Sequence, residues 1–212
     1  MSAGGTLGER YARHNLSRGR GFVYGGAERV QELRRAIGPM PAGRVLDLGC
    51  RDGSLAAALE LPRGRSVGAD IDERAVRDSD GRLRPCIADL WRAFPFRSEA
   101  FDLVVAGEIV EHVPFPGALI AEAERVLRPG GRMVGSVPNA FRLKNRLEFL
   151  AGRWFERDPT HLRQFSPRML ETLLLTSFDR VDIRPCVGRL TPVWPRMFGN
   201  DLVWVAHKRA SR

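Results

Sequence analysis

Three aspartates follow short apolar segments, at places where a carboxylate can contact a bound ligand. Asp47 lies beside the glycine turn of VLDLGCRDG, Asp70 ends RSVGAD, and Asp89 ends LRPCIAD. A carboxylate at the end of a second strand can accept hydrogen bonds from both hydroxyls of a ribose. A carboxylate in the position of Asp89 can accept one from an adenine amino group. The three acids therefore predict a site for an adenine nucleoside; the alternative is that acids at strand ends are simply solvated or cap the next helix.

The residues around Asp47 indicate which adenine compound this is. The turn that follows Asp47 lacks the G-x-G-x-x-G spacing of dinucleotide-binding folds, and no G-x-x-x-x-G-K-[ST] phosphate loop is present. A carboxylate beside the turn repels a pyrophosphate, whereas it attracts the ammonium and sulfonium groups of S-adenosylmethionine. Unit charges about 4 Å apart interact by on the order of 4 kcal/mol at an effective dielectric near 20. The sign of this interaction favours S-adenosylmethionine over NAD.

Strand and helix patterns alternate as far as Pro138, which predicts an α/β fold with a parallel sheet and helices on both faces. The run FDLVVAG is almost continuously apolar, as is typical of a central parallel strand. Ligands of such sheets bind at the carboxyl ends of the strands, where the three aspartates lie. The predicted strands are 44–48, 65–70, 83–89, 101–107 and 132–138, and the predicted helices are 27–37, 54–61, 73–77 and 116–127.

The pattern changes after Pro138. There we predict a basic amphipathic helix at 141–150, an aromatic and charged loop at 152–165, a helix at 168–176 capped by Ser166 and Pro167, and two strands at 180–185 and 202–208 that can pair. The length favours a single domain. Its parts are a loosely ordered N-terminal arm (1–26), a cofactor-binding core (44–139), substrate-covering helices and a loop (140–176), and a terminal strand pair (177–212).

Five segments of the chain carry motifs in a recognisable order: VLDLGCRDG (45–53), VGADID (67–72), IADL (87–90), FDLVVAGEIVEHV (101–113) and LRPGGRMVGSVPN (127–139). Together they resemble the class I S-adenosylmethionine-dependent methyltransferases. The resemblance implies a Rossmann-like, seven-stranded, mostly parallel sheet with helices on both faces and an antiparallel last strand. It also implies S-adenosylmethionine as the cofactor and S-adenosylhomocysteine as its product.

The resemblance further implies which residues surround the cofactor. Arg51 departs from the family, in which glycine is common at this position, and we expect its side chain to extend into solvent. Pairing with Asp52 or with an acidic substrate is the alternative. The implied cofactor-binding residues are Asp47, Gly49 and Gly53 around the methionine part, Asp70 at the ribose, Asp89 and Leu90 at the adenine, and Ala106 and Glu108 along the cleft, together with Cys50, Arg51 and Ile71.

Residues 136–174 resemble the small-molecule O-methyltransferase branch of this family, which includes quinone-biosynthesis and natural-product enzymes. They also resemble the small methyltransferase-like proteins that accompany homoserine acyltransferases. In that branch a D-x-x-H-[LV]-R-x-[FY] segment, present here as Asp158 to Phe165, covers the mouth of the substrate site. Within it, His161 is our candidate general base, since imidazole titrates near neutral pH. The alternative is that His161 binds a carboxylate such as Asp158 and fixes the loop.

Two further ionisable residues and the cysteines complete the candidates. Glu111 and His112 follow the fourth predicted strand and are catalytic candidates, with helix packing as the alternative. The three cysteines have no C-x-x-C spacing, so we predict reduced thiols and no metal site. The N-terminus lacks an apolar signal segment, and no apolar run has the length of a membrane span. These features predict a cytoplasmic protein.

The net charge of +9 over 212 residues comes almost entirely from arginines scattered along the chain, which favours a solvated basic surface over a nucleic-acid site. We therefore predict a biosynthetic methyltransferase that acts on a small molecule, on oxygen; a homodimer is compatible with the sequence. One alternative is a methyltransferase-like partner protein that binds and activates an acyltransferase. The other is a nucleic-acid methyltransferase, although AGEIVEH stands where amino-group methylases carry N/D-P-P-Y/F.

Overall fold

The computed structural model describes residues 7–19, 21, 23, 26–77, 79, 81–156 and 158–210. Its sheet has seven strands: β1 (Val45–Leu48), β2 (Ser66–Asp70), β3 (Arg84–Ile87), β4 (Phe101–Gly107), β5 (Leu127–Pro138), β6 (Arg180–Cys186) and β7 (Asp201–His207). They lie in the order β3-β2-β1-β4-β5-β7-β6. Strands β1 to β5 pair in parallel, and β7 is antiparallel to both of its neighbours. The predicted sheet with an antiparallel last strand is confirmed.

Two helices precede β1, and the others lie between the strands. Ser166 caps the helix that precedes β6, because its side chain accepts a hydrogen bond of 3.2 Å from the Met169 N–H, as the sequence predicts. The helices are α1 (Leu7–Arg18), α2 (Gly26–Ile37), α3 (Ser54–Ala58), α4 (Glu73–Arg77), α5 (Pro116–Val126), α6 (Leu143–Leu150), α7 (Pro167–Leu174) and α8 (Pro195–Phe198).

Residues on successive strand positions pack into two apolar layers, one on each face of the sheet. Leu46 and Val104 belong to a layer covered by α5 and α7, whereas Val45 and Val105 belong to the layer covered by α2, α3 and α4. The alternation follows from the period of two in a strand. Helices therefore cover both faces, as predicted, and the carboxyl ends of the parallel strands are left to form the site.

The structure differs from the sequence predictions in three places. Residues predicted to form a loosely ordered arm include the helix α1, which is fastened to the rest of the chain by contacts described below. Strand β5 begins at Leu127 and not at 132, because Gly130 and Gly131 bond to the segment after β7, where Lys208 N–H donates to the Gly131 carbonyl at 3.0 Å. The short helix α8 carries no periodic signal and was not predicted.

Candidate active site

A cleft opens at the carboxyl ends of β1, β2 and β4, where the sequence predicts the cofactor. Its walls are the glycine turn after β1, the end of β2, and the loop after β4. The inner surface of α1 closes one side of the cleft through Tyr11. The predicted site residues that line this cleft are Gly49, Cys50, Arg51, Asp70, Ile71, Leu90, Glu108, His112 and His161.

The glycine turn owes its shape to left-handed backbone conformations. Gly49 has φ +67° and Gly53 has φ +75°, values that favour glycine over any residue with a Cβ atom. A Cβ atom on Gly49 would also lie 2.9 Å from Ile109 Cδ1. Gly53 does not line the cleft; it precedes the first residue of α3. The glycines thus allow the turn itself, and Gly49 allows close packing of the loop after β4.

Asp70 lies on the cleft wall with its carboxylate held by the backbone. It accepts hydrogen bonds of 2.9 Å from the Arg51 N–H and 2.9 Å from the Asp72 N–H. Burial raises its pKa, and the charge of Asp72 acts in the same direction. The side chain is therefore fixed at the end of β2, in the position predicted for a contact with ribose.

Asp47 lies behind the turn and does not line the cleft. The residue is 1% exposed, and neither carboxylate oxygen has a hydrogen-bond partner among the described residues. Burial, followed by the charge of Asp70, raises the pKa of Asp47 to about 8. A positive charge in the cleft would favour its ionised form, so we expect the residue to act on a bound ligand through its field and not by direct contact.

Two other predicted positions also lie off the cleft. Ala106 is fully buried within β4. Asp89 pairs with Arg92, whose Nε lies 3.0 Å from Asp89 Oδ2. Its neighbour Leu90 does line the cleft. The adenine contact of Asp89 stays a prediction.

Arg51 does not extend into solvent as expected. Its guanidinium donates to the Gly19 carbonyl just after α1 and lies 3.3 Å from Asp52 Oδ2, and its side chain is only 16% exposed. Asp52 Oδ2 also accepts a hydrogen bond of 2.9 Å from the Gly21 N–H. The alternative of pairing with Asp52 is therefore the correct one. Both side chains of the turn fasten the segment that follows α1.

A buried ion pair that the sequence analysis missed lies on the opposite side of the cleft. Arg29 Nη1 of α2 lies 2.7 Å from Glu108 Oε1, and the two side chains are 3% and 10% exposed. Arg29 falls on the buried stripe of α2 with Leu33 and Ile37, at intervals of four residues. That spacing could have revealed the ion pair, because an arginine within a buried apolar stripe is expected to pair with an acidic residue.

The three predicted catalytic residues come together beside the cleft. Glu111 Oε1 lies 4.0 Å from His112 Nε2, and the rings of His112 and His161 are 4.7 Å apart. Glu111 is buried behind the two histidines. Burial, followed by the charge of Glu108, raises the pKa of Glu111 well above its usual range. The Tyr11 hydroxyl donates to the His112 carbonyl, so α1 also contacts this cluster.

Backbone hydrogen bonds bring the loop of His161 to this cluster. The N–H groups of Leu162 and Arg163 donate to the Glu111 carbonyl at 2.9 and 3.1 Å. His161 Nδ1 lies 2.8 Å from Glu156 Oε2, and His161 Nε2 lies 3.9 Å from Asp158 Oδ2. The ring is thus oriented by Glu156, which the sequence analysis did not select. The role of His161 as general base stays a prediction.

A second cleft adjoins the first between α6, the loop before α7, and the start of β7. Asp158 and His161 line both clefts. Asp201, at the start of β7, has its pKa raised to about 7 by burial and by the charge of Glu108. The remaining side chains of this cleft are mixed polar and aromatic, and they include Arg142, Lys144, Asn145, Glu148, Phe155, Glu156 and Gln164.

Comparisons with known proteins agree with this geometry. A family model described as a methyltransferase domain matches residues 46–135. The chain is 33% identical over 146 residues to a "Probable S-adenosylmethionine-dependent methyltransferase" of Mycolicibacterium smegmatis, which covers 66% of this chain and 54% of that protein. It is 34% identical over 112 residues to a "Ubiquinone biosynthesis O-methyltransferase" of Hahella chejuensis. The matched region covers 47% of this chain and 45% of that protein.

Among solved structures, a "possible histamine N-methyltransferase" of Thermotoga maritima has the same fold. The TM-score is 0.73 at 16% identity, over 96% of this chain and 100% of that one. The chain spans about half the length of the two curated relatives named above. Among the described residues, no helix combines the length and apolar character needed to cross a bilayer.

Proposed function

From the premise that this chain belongs to the class I S-adenosylmethionine-dependent methyltransferases, we propose that it methylates an oxygen atom of a small-molecule acceptor. The observation that carries this proposal is the meeting of two clefts at one loop. The first cleft has the glycine turn and strand-end carboxylate suited to S-adenosylmethionine, and the second is mixed polar and aromatic. Asp158 and His161 line both, so a donor in the first cleft faces an acceptor in the second.

The cofactor is held by groups of the first cleft. The carboxylate of Asp70 accepts hydrogen bonds from the ribose hydroxyls, in addition to those it receives from the backbone. Leu90 and Ile71 supply apolar contacts on the same side. The sulfonium and ammonium groups favour ionised Asp47 beneath the turn, and this attraction discriminates against phosphate-bearing cofactors.

The reaction is a direct displacement. The O–CH3 bond forms as the S–CH3 bond breaks, the sulfonium becomes a neutral thioether, and the acceptor hydroxyl loses its proton. Holding donor and acceptor in line is worth roughly 7–11 kcal/mol of the barrier. The proton leaves at the junction of the two clefts, where Glu111, His112 and His161 are clustered.

The second cleft supports a small acceptor with an anionic or planar part. Arg142 and Lys144 supply positive charge, and Phe155 supplies an aromatic face. An oxygen acceptor agrees with the relative from Hahella chejuensis, which is named as an O-methyltransferase. We also propose a reducing cytoplasmic location, in keeping with three free cysteines.

Ligand-induced stabilisation of the full chain tests the cofactor. S-adenosylmethionine and S-adenosylhomocysteine at about 100 times their dissociation constants should each add about 2.7 kcal/mol of stability, whereas NAD should add none. Asp70→Asn should abolish this effect, and Asp182→Asn, an exposed carboxylate on β6, should preserve it. Stabilisation by NAD and not by S-adenosylmethionine would refute the proposal.

The acceptor is identified by mass spectrometry with a methyl-deuterated donor. Panels of phenols, catechols and carboxylates are incubated with the protein, and label retained on oxygen is expected for a planar, anionic member. Label found only on nitrogen, or only on added RNA, would overturn the acceptor class.

A further inference from the structure

Three potential metal ligands converge where the two clefts meet. One ligand atom from each of Glu111, His112 and His161 lies within 4.8 Å of the other two. Metal bonds of about 2.0–2.2 Å to nitrogen and oxygen place neighbouring ligand atoms roughly 3 Å apart. The three side chains would therefore have to move closer together to bind one ion.

Hydrogen bonds on the far side of both rings orient the two histidines. His112 Nδ1 lies 3.1 Å from the Thr160 carbonyl, and His161 Nδ1 lies 2.8 Å from Glu156 Oε2. Acceptors in these positions favour a proton on each Nδ1 and leave each Nε2 as the ligand atom; His112 Nε2 lies 4.0 Å from Glu111 Oε1, and His161 Nε2 lies 3.9 Å from Asp158 Oδ2. Metal-binding histidines have the same arrangement, in which the second ring nitrogen donates to a carbonyl or carboxylate.

The carboxylate of Glu111 independently indicates a cation. The residue is 1% exposed, and neither of its oxygens has a hydrogen-bond partner among the described residues. A buried carboxylate without a partner is costly, because nothing replaces its hydration. Arg29, which acts on Glu111 electrostatically, forms its close ion pair with Glu108 instead. A bound cation would supply the charge that Glu111 lacks.

We propose that Glu111, His112 and His161 bind one divalent transition-metal ion, and that the acceptor oxygen completes its coordination. Two imidazoles and one carboxylate suit Zn²⁺, Co²⁺, Fe²⁺ or Mn²⁺ better than Ca²⁺ or Mg²⁺, which prefer oxygen ligands. The metal site stands on its own geometry, whereas the acceptor's place in it rests on the proposed function.

The metal changes how the acceptor loses its proton. A hydroxyl bound to a divalent ion has a lowered pKa and releases its proton to solvent. The oxygen then forms the O–CH3 bond while the S–CH3 bond breaks and the sulfonium becomes a thioether. In this arrangement His161 is a metal ligand, and the general base predicted from the sequence is not required.

Cobalt titration of the full, tag-free chain after treatment with a chelator tests the site. The wild-type protein should bind one equivalent of Co²⁺ with visible absorption bands of nitrogen and oxygen coordination. Glu111→Gln and His161→Gln should lose these bands. Glu156→Gln should weaken binding roughly 10- to 100-fold, since it removes only the partner of a ligand. His207→Gln, on β7 and outside the cluster, is the matched control and should bind as the wild type does.

Circular dichroism and S-adenosylhomocysteine binding establish that each variant is folded. Absence of stoichiometric Co²⁺ binding by the wild type would overturn the proposal, as would unchanged binding by Glu111→Gln. Mn²⁺ paramagnetic resonance gives a second measurement, in which the Glu111→Gln spectrum should be that of free ion. A protein that binds S-adenosylmethionine but no metal would leave the proposed function intact, and the reverse result would leave only the metal site.

Discussion

Replacing Asp47 by asparagine should make the protein more stable in the absence of ligand, by an amount that grows with pH. Burial raises the pKa of this carboxyl from 3.8 to about 8 in the folded protein. An acid whose pKa is raised on folding does not lower the free energy of unfolding when the pH is below its unfolded pKa. The cost grows between the two pKa values and is constant above the higher one. Asparagine does not titrate and escapes this cost.

The magnitude follows from the distance between the pH and the unfolded pKa. At 1.36 kcal/mol per pH unit, Asp47 costs on the order of 4 kcal/mol at pH 7 and about 2 kcal/mol at pH 5. The buried amide of asparagine adds its own penalty, but that penalty is the same at both pH values. Because the two pH values are two units apart, the stability gain of Asp47→Asn should be roughly 2–3 kcal/mol larger at pH 7 than at pH 5.

Urea denaturation at both pH values measures this difference, with Asp182→Asn as the control for loss of an exposed carboxylate. Calorimetry in buffers of different ionisation enthalpy measures the coupled proton. Wild-type protein at pH 7 should release close to one proton on binding S-adenosylmethionine, because the cation ionises Asp47, and the variant should release none. The reasoning would be refuted if Asp47→Asn gained the same stability at pH 5 and pH 7. It would also be refuted if the wild type and the variant released the same number of protons on binding S-adenosylmethionine.

Three further substitutions test other parts of the site. Arg29→Met leaves Glu108 buried without its cation and should lower the free energy of unfolding, measured in urea, by about 3–5 kcal/mol. Adding Glu108→Gln to this variant should restore most of that loss. Absence of any recovery would contradict the ion-pair account. Gly64→Ala, at φ +77° with open space around it, should lower the stability of the fold by roughly 1–2 kcal/mol. Gly49→Ala should lower it further, because Gly49 has φ +67° and a Cβ atom there would also meet Ile109. Equal shifts in the melting temperature would argue against the packing contact. Arg51→Ala should speed amide exchange in α1 with little loss of global stability, and unchanged exchange measured by mass spectrometry would show that other contacts hold the helix.

The sheet and the cofactor cleft could be predicted from the sequence because their signals are local. The apolar run of β4 and the acid at the end of β2 each lie within a few residues, and the structure places both as expected. Arg29 could not be assigned in this way, because its role depends on Glu108, which lies far along the chain. The same holds for α1, whose partners are the turn after β1 and the backbone of His112. Asp47 was expected around the methionine part of the cofactor but is buried and does not line the cleft, and its effect on a ligand stays a prediction.

In the proposed methyl transfer, the docking of α1 would affect how a bound ligand exchanges with solvent. This helix contacts the walls of the first cleft at two points, through Tyr11 in its second turn and through the Gly19 carbonyl just after its end. We expect a ligand in this cleft to exchange with solvent faster when these bonds open, and opening would also release the turn after β1. Turnover should then be limited by product release, with a pre-steady-state burst of methylated product followed by a slower steady rate.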